Sequence, residues 1–296
     1  PQGPAEVLHT FDDTELWPEG IAVDPATGDL YLGSFYRRKI VRLKPDGTVE
    51  DFGSSAKDGL QSVVGIWVDA VGRELWAATG DQPTPDSEPE PGELVRYDLE
   101  TGALLARYPG PRDGRPQLIN DVTVGSDGTA YVTESLGGRI FRVAAGSEEL
   151  EVFQEYPVLG FINGIAISGD GSTLYFAHVE GLSALDLETG ETTRVLARDG
   201  VFLGLGDGLS WAGDGLVVVQ NQAQLNFRVI HVGLDDSGRE AIATTVLPGG
   251  VPGGLLPFTS AVNGSDVFVI ATSDFALLDR GEVPPAPAVV RIPLPL

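Results

Sequence analysis

The chain has 296 residues, 42% of them hydrophobic, and a formal net charge of −24. That length supports a sizeable core, that hydrophobic content excludes a disordered chain, and that charge argues against nucleic acid or anionic lipid as partners. With no cysteine, disulfides, thiol nucleophiles and Cys-ligated zinc are excluded. No apolar run reaches the roughly 18 residues that a membrane span needs. There is no methionine either, and the opening Pro1-Gln2-Gly3-Pro4 suits a trimmed or processed chain, which favours export slightly over a cytoplasmic location.

In chain order, a short apolar run at 7–11 precedes the first of several similar units. Pro18-Glu19-Gly20-Ile21-Ala22-Val23 leads through a turn at 24–29 to a second strand at 30–33, and strands at 39–43 and 48–52 follow. The second unit has strands at 63–68, 74–78, 93–97 and 104–108. The acidic, proline-rich stretch 81–91 within it reads as a loop, because proline removes the ladder donor. The third unit covers 119–124, 130–133, 139–143 and 150–153. The fourth covers 162–167, 174–177, 182–186 and 192–196, and the fifth 206–211, 216–219, 227–232 and 243–247. The sixth has only three strands, at 258–262, 266–271 and 288–292, and the orphan run at 7–11 supplies the missing one. Repeats of roughly 40–55 residues with four strands each match the blade of a β-propeller. The expectation is an all-β, six-bladed propeller, a single domain over 1–296, closed by the N-terminal strand joining the last blade.

In a propeller the first strand of each blade lines the central channel, so the residue just before it points at the axis. Aligning the repeats puts Glu19, Val64, Asn120, Asn163, Asp207 and Thr259 in that slot. Two carboxylates and two amides make a site of oxygen donors, without the nitrogen or sulfur that zinc favours. Calcium takes about 6–8 such ligands, some of them water, which leaves positions for a substrate. One Ca2+ is the expected cofactor, with other divalent ions as alternatives. Asn-Gly, Asn-Asp and Asp-Gly are also ordinary turn dipeptides, yet the units already have hairpin turns further on, at 24–29, 125–128, 169–172 and 213–215.

This ordered set resembles the gluconolactonase family, which includes regucalcin (senescence marker protein) and is related more distantly to diisopropyl fluorophosphatase and paraoxonase. Glu19-Gly20 matches the family's Glu-Gly opening, Asn120-Asp121 its Asn-Asp, and Asn163-Gly164 its Asn-Gly. Asp207-Gly208 matches its Asp-Gly, and Thr259-Ser260 the Thr-Ser opening of its last blade. The resemblance runs over essentially the whole chain. It implies a six-bladed propeller with one catalytic calcium in the channel, held by Glu19, Asn120, Asn163 and Asp207. Two positions depart from the pattern. Leu118 stands where such lactonases carry an arginine that grips a sugar lactone, and Gly206 stands where the family has proline before Asp-Gly. A less polar ester or lactone therefore fits better than a sugar-acid lactone.

The activity implied is calcium-dependent hydrolysis of a small-molecule lactone or ester, with a phosphotriester as an alternative. Asp207 is the expected general base toward water, or the nucleophile, and Asp121 either orients a ligand or is a turn residue. Loops after the second strands bring Phe35, Tyr36, Gln82, Glu134, His178, Asn221 and Gln222 to the same mouth. Trp17, Phe35, Leu118 and Phe161 are candidate substrate walls and His178 a candidate proton carrier, against packed side chains and a hydrogen-bonded histidine. The 81–91 loop reads as a lid or as a solvated insert. There is no Gly-rich phosphate loop and no Gly-x-Ser-x-Gly elbow, and three histidines are too few for a His-carboxylate metal cluster. Two other classes compete: a non-catalytic binding scaffold with a structural calcium, and a lyase like strictosidine synthase that relies on a glutamate.

Overall fold

The computed structural model describes residues 4–81, 91–221, 227–248, 251–253, 255–272, 277 and 280–294. The proline-rich stretch from 82 to 90, with Gln82, and Gln222 lie outside them. After β1 (Glu6–Thr10) comes a four-stranded antiparallel meander of β2 (Pro18–Val23), β3 (Leu30–Ser34), β4 (Lys39–Leu43) and β5 (Val49–Ser55). A second meander comprises β6 (Val63–Asp69), β7 (Glu74–Thr79), β8 (Glu93–Asp98) and β9 (Leu104–Pro109). A third comprises β10 (Ile119–Val124), β11 (Ala130–Glu134), β12 (Arg139–Val143) and β13 (Glu151–Glu155).

The next two meanders share one eight-stranded sheet. One is β14 (Ile165–Ile167), β15 (Thr173–His178), β16 (Gly181–Asp186) and β17 (Thr192–Ala197). The other is β18 (Gly206–Ala212), β19 (Gly215–Gln220), β20 (Arg228–Leu234) and β21 (Glu240–Val246). A short parallel pairing of their outer strands, Leu196 with Glu240 and Ala197 with Ala241, joins them. The last sheet contains β22 (Leu256–Asn263), β23 (Asp266–Thr272) and β24 (Ala288–Pro293), with β1 added antiparallel to β24.

The first strands of the meanders, β2, β6, β10, β14, β18 and β22, each contact the next, and β22 contacts β2. This is an all-β arrangement of the propeller type, and its burial follows from it. Sheets stacked face to face cover both faces of their inner strands, so β3 and β11 are buried throughout, while outer strands such as β9 and β13 are largely open on one side. Between neighbouring sheets the core interdigitates: Phe52 of β5 meets Tyr31 of its own sheet at 4.9 Å and Tyr97 of β8 in the next at 6.3 Å, ring centre to ring centre.

Candidate functional site

The slot residues sit where the inner strands break register. In β2, β6, β10, β18 and β22 the pairing skips at Glu19, Val64, Asn120, Asp207 and Thr259. In the remaining sheet, β14 begins only after Asn163. A bulge leaves its residue out of the ladder and re-aims the side chain, here at the start of an axial strand. Glu19, Asn120, Asn163 and Asp207 are each less than 10% exposed, at 8, 5, 4 and 6%.

The residue after the slot explains the recurrent glycine. A Cβ on Gly164 would lie 2.4 Å from the carbonyl oxygen of Asp207, and one on Gly20 2.4 Å from that of Val64. Neighbouring inner strands approach too closely there for any side chain, so Asn163-Gly164 is a packing contact rather than a turn. In β10 the equivalent residue is Asp121. Its carboxylate accepts from Val122 N at 2.9 Å and reaches the next sheet, accepting from Ile165 N at 3.0 Å.

Three of the five described non-glycine residues with positive φ lie at the same places. Trp17, Phe161 and Leu205, each two residues before an acidic or amide slot residue, have φ of 41°, 44° and 60°. For bulky L-residues the left-handed region costs about 1–2 kcal/mol each, and such strain clusters where surrounding structure holds a functional geometry.

Hydrogen bonds turn the amides in one sense. Asn163 Nδ2 donates to Asp207 Oδ1 at 2.6 Å, and Asn120 Nδ2 donates to Ser135 Oγ at 3.0 Å, which in turn donates to the carbonyl of Ile162. Both amides thereby spend their donors on protein, and no described residue donates to either Oδ1 or to the Glu19 carboxylate. Asn221 Nδ2 donates to Asp207 Oδ2 at 2.5 Å and to the carbonyl of Pro257 at 3.0 Å, so Asp207 is gripped on both oxygens.

The electrostatics are unbalanced. Burial pushes Asp121 up to about 7 and Asp207 up to about 6. It pushes Glu19 well above the ordinary carboxylate range, and the charges of Asp207 and Asp121 add to that rise. No cationic side chain contributes to any of the three. Three acids and two amides thus share a desolvated region without a positive charge. Among the described residues no three His, Cys, Asp or Glu side chains form a ready metal cluster. The arrangement is one of carboxylate and amide oxygens together.

Of the other residues singled out from the sequence, Trp17 is fully buried, its ring 5.6 Å from that of Tyr36, and Phe35 lies 5.8 Å from Tyr36. Phe161 is 36% exposed. Leu118 is buried, and its backbone N–H donates to Glu134 at 3.0 Å. Glu134 itself is fully buried and paired with Arg139 Nε at 2.7 Å, away from any ligand role. His178 is held through both ring nitrogens, Nδ1 by Glu180 at 2.9 Å and Nε2 by Ser183 at 3.1 Å, and burial lowers its basicity. Of the described residues of the rim set, Asn221 is the one that the structure brings onto Asp207. Ser135, which orients Asn120, escaped sequence reasoning; its only signal was its place beside Glu134 at the end of β11.

The chain matches the SMP-30/gluconolactonase/LRE-like region over residues 17–226. No curated protein matches it. Among solved structures, a gluconolactonase from Xanthomonas campestris is 18% identical, covers 100% of this chain and 99% of its own, and superposes with a TM-score of 0.64. A virginiamycin B lyase from Staphylococcus aureus (18%, covering 90% and 84%, TM-score 0.60) has a similar fold. So has a PQQ-bound aldose sugar dehydrogenase from Streptomyces coelicolor (16%, 99% and 98%, 0.64). Identities this low carry the fold and no more, but the family match spans well over half the sequence. The chain belongs to the SMP-30/gluconolactonase/LRE-like family.

Proposed function

We propose that this protein is a calcium-dependent hydrolase of a weakly polar lactone or ester, built as a six-bladed propeller that β1 closes onto the last blade. Family membership supports lactone hydrolysis. The pairing of β1 with β24 and the contacts from each inner strand to the next support the ring.

One observation carries the metal: the Glu19 carboxylate and the Asn120 and Asn163 carbonyl oxygens meet no donor among the described residues, beside a buried Asp207 and no cationic side chain. Unmet, hard oxygen acceptors of this kind fit Ca2+. Glu19, Asn120, Asn163 and Asp207 would hold the ion, which when bound polarises a carbonyl or phosphoryl oxygen. The chain's own work is done by Asp207, held between Asn163 and Asn221. Its carboxylate takes a proton from water or attacks the acyl carbon itself. Leu118, in place of a sugar-gripping arginine, leaves the substrate unconstrained by charge at that point and favours a less polar acyl group.

Calorimetry on chelator-treated protein tests this. One calcium per chain is expected, with affinity lowered at least tenfold (roughly) by Glu19→Gln, and aryl esters, lactones and phosphotriesters then serve as substrates for the loaded protein. A folded protein that takes up no calcium would sink the hydrolase and leave a binding scaffold as the better account. Asn221→Ala is expected to lower turnover about tenfold with little change in KM, because Asp207 keeps its charge and loses one of its two clamps. An unchanged turnover would show that Asn221 does not position Asp207.

A further inference from the structure

A cavity of about 390 Å³ lies between the inner strands, beyond the four acidic and amide slot residues and touching Thr259 of the same slot. Its walls begin at Gly20, Asp121 and Gly208, just past the slot, and run out to Pro25, Val71, Ser126 and Gly171 in the first turns of the meanders. Glu19, Asn120, Asn163 and Asp207 are not among them. Each inner strand contributes an apolar side chain: Val23, Val68, Val124, Ile167, Trp211 and Val262.

We propose that this cavity is a second binding site, distinct from the carboxylate-amide ring, for an uncharged and largely apolar small molecule. It stands whether or not the ring holds calcium. The volume falls in the range of small-ligand pockets, and an apolar wall with few polar groups is their usual chemistry. No Lys, Arg or His lines it, so nothing compensates a ligand anion. The acids that line it accept from backbone amides, Asp121 on both oxygens and Asp69 on one. Asp121 accepts from Val122 and Ile165, and Asp69 accepts from Val71 N at 2.9 Å and Gly72 N at 3.0 Å. Most hydroxyls are spent as well: Ser210 donates to the carbonyl of Ser260 at 2.7 Å, Ser168 to Asp170 at 2.6 Å and Thr259 to the carbonyl of Glu19, which leaves Ser126 at the outer turn. What remains to meet a ligand is mainly aliphatic surface and two indoles, Trp67 and Trp211, the latter backed by Tyr175 at 5.8 Å. They stand on β6 and β18, with two inner strands between these on either side. Planar, neutral molecules gain most from such a pair of walls.

The probe is N-phenyl-1-naphthylamine, neutral, apolar and fluorescent when desolvated. Saturable one-to-one binding in the micromolar range is expected, unchanged between calcium-loaded and chelator-treated protein. Ile167→Trp and Val262→Trp fill the cavity from two different sheets at partly exposed positions, and each is expected to weaken binding about tenfold or more while melting as the parent does. No saturable binding, binding that persists in a folded variant of either kind, or displacement of the probe by calcium would overturn the proposal. The last two results would put the probe at the other mouth or on the surface.

Discussion

Asp207→Asn is expected to reduce hydrolysis by about three orders of magnitude at saturating calcium, with the fold intact. The substitution keeps the volume and removes the charge. In the parent, one carboxylate accepts from Asn163 Nδ2 on Oδ1 and from Asn221 Nδ2 on Oδ2. An amide can accept on one side only, so one of the two asparagines is left facing an N–H donor and must swing away. Calcium affinity therefore falls too, and rates must be compared at occupancy confirmed by calorimetry. A variant that still turns over with calcium bound would remove Asp207 from the chemistry while leaving it a ligand. The same experiment separates base from nucleophile in the parent protein. A single turnover in heavy-oxygen water leaves the label in the product alone if Asp207 activates water. It leaves label in the Asp207 peptide if that carboxylate attacks and water then attacks the carboxyl carbon.

Much of the architecture was legible because a propeller repeats itself. Polar slot, small residue, alternating strand and Gly/Asp turn recur at a blade's period, and β1 was legible by arithmetic, since the last unit lacked one strand. The slot residues were legible for the same reason: one position per repeat, with Glu, Asn, Asn and Asp in four of six. The contacts that give those positions their chemistry are not periodic, and they stayed hidden. Asn120 is oriented by Ser135, just past the neighbouring strand of its own meander, and Asp207 is clamped by Asn163 from the preceding meander and by Asn221 from its own. Nothing in the repeat marks Ser135 or Asn221. Glu134 shows the reverse case. By position it belongs to the rim, but a buried arginine five residues on claims it. The glycines were read with their neighbours as turn dipeptides to be argued away, whereas the reason for Gly164 is the backbone of the next meander 2.4 Å from where its Cβ would be. The axial cavity was invisible for a related cause. It is made of strand residues whose alternation reads as core, and only the apposition of the first strands leaves a space between them.

The charge imbalance at the site makes a second, independent prediction: the metal-free protein loses stability as pH rises from about 4 to about 7, and calcium abolishes that loss. Burial raises the folded-state values of Asp207 from 3.8 to about 6 and of Asp121 from 3.8 to about 7, and Glu19 moves in the same direction from 4.5. An acid with a raised folded value holds its proton more tightly when folded than when unfolded. Its contribution is therefore complete below the unfolded value and is lost as pH climbs through the folded one. The window is thus bounded by roughly pH 4 and pH 7. A tenfold gain in proton affinity corresponds to about 1.4 kcal/mol, and folding tightens the grip of Asp207 on its proton about a hundredfold. Asp207 alone therefore represents about 3 kcal/mol, on the order of 5 °C in Tm for a chain of this size. A bound dication reverses the preference by favouring the ionised forms, which flattens the profile. Other carboxylates on a chain of charge −24 also respond to pH, so the decisive comparison is with Asp121→Asn. That variant removes one of the buried acids and lessens the repulsion on Glu19, and in chelator its Tm is expected to fall less between the two pH values than the parent's. If both lose stability equally, or if calcium leaves the parent's slope unchanged, these carboxylates are not the ones that the ion relieves.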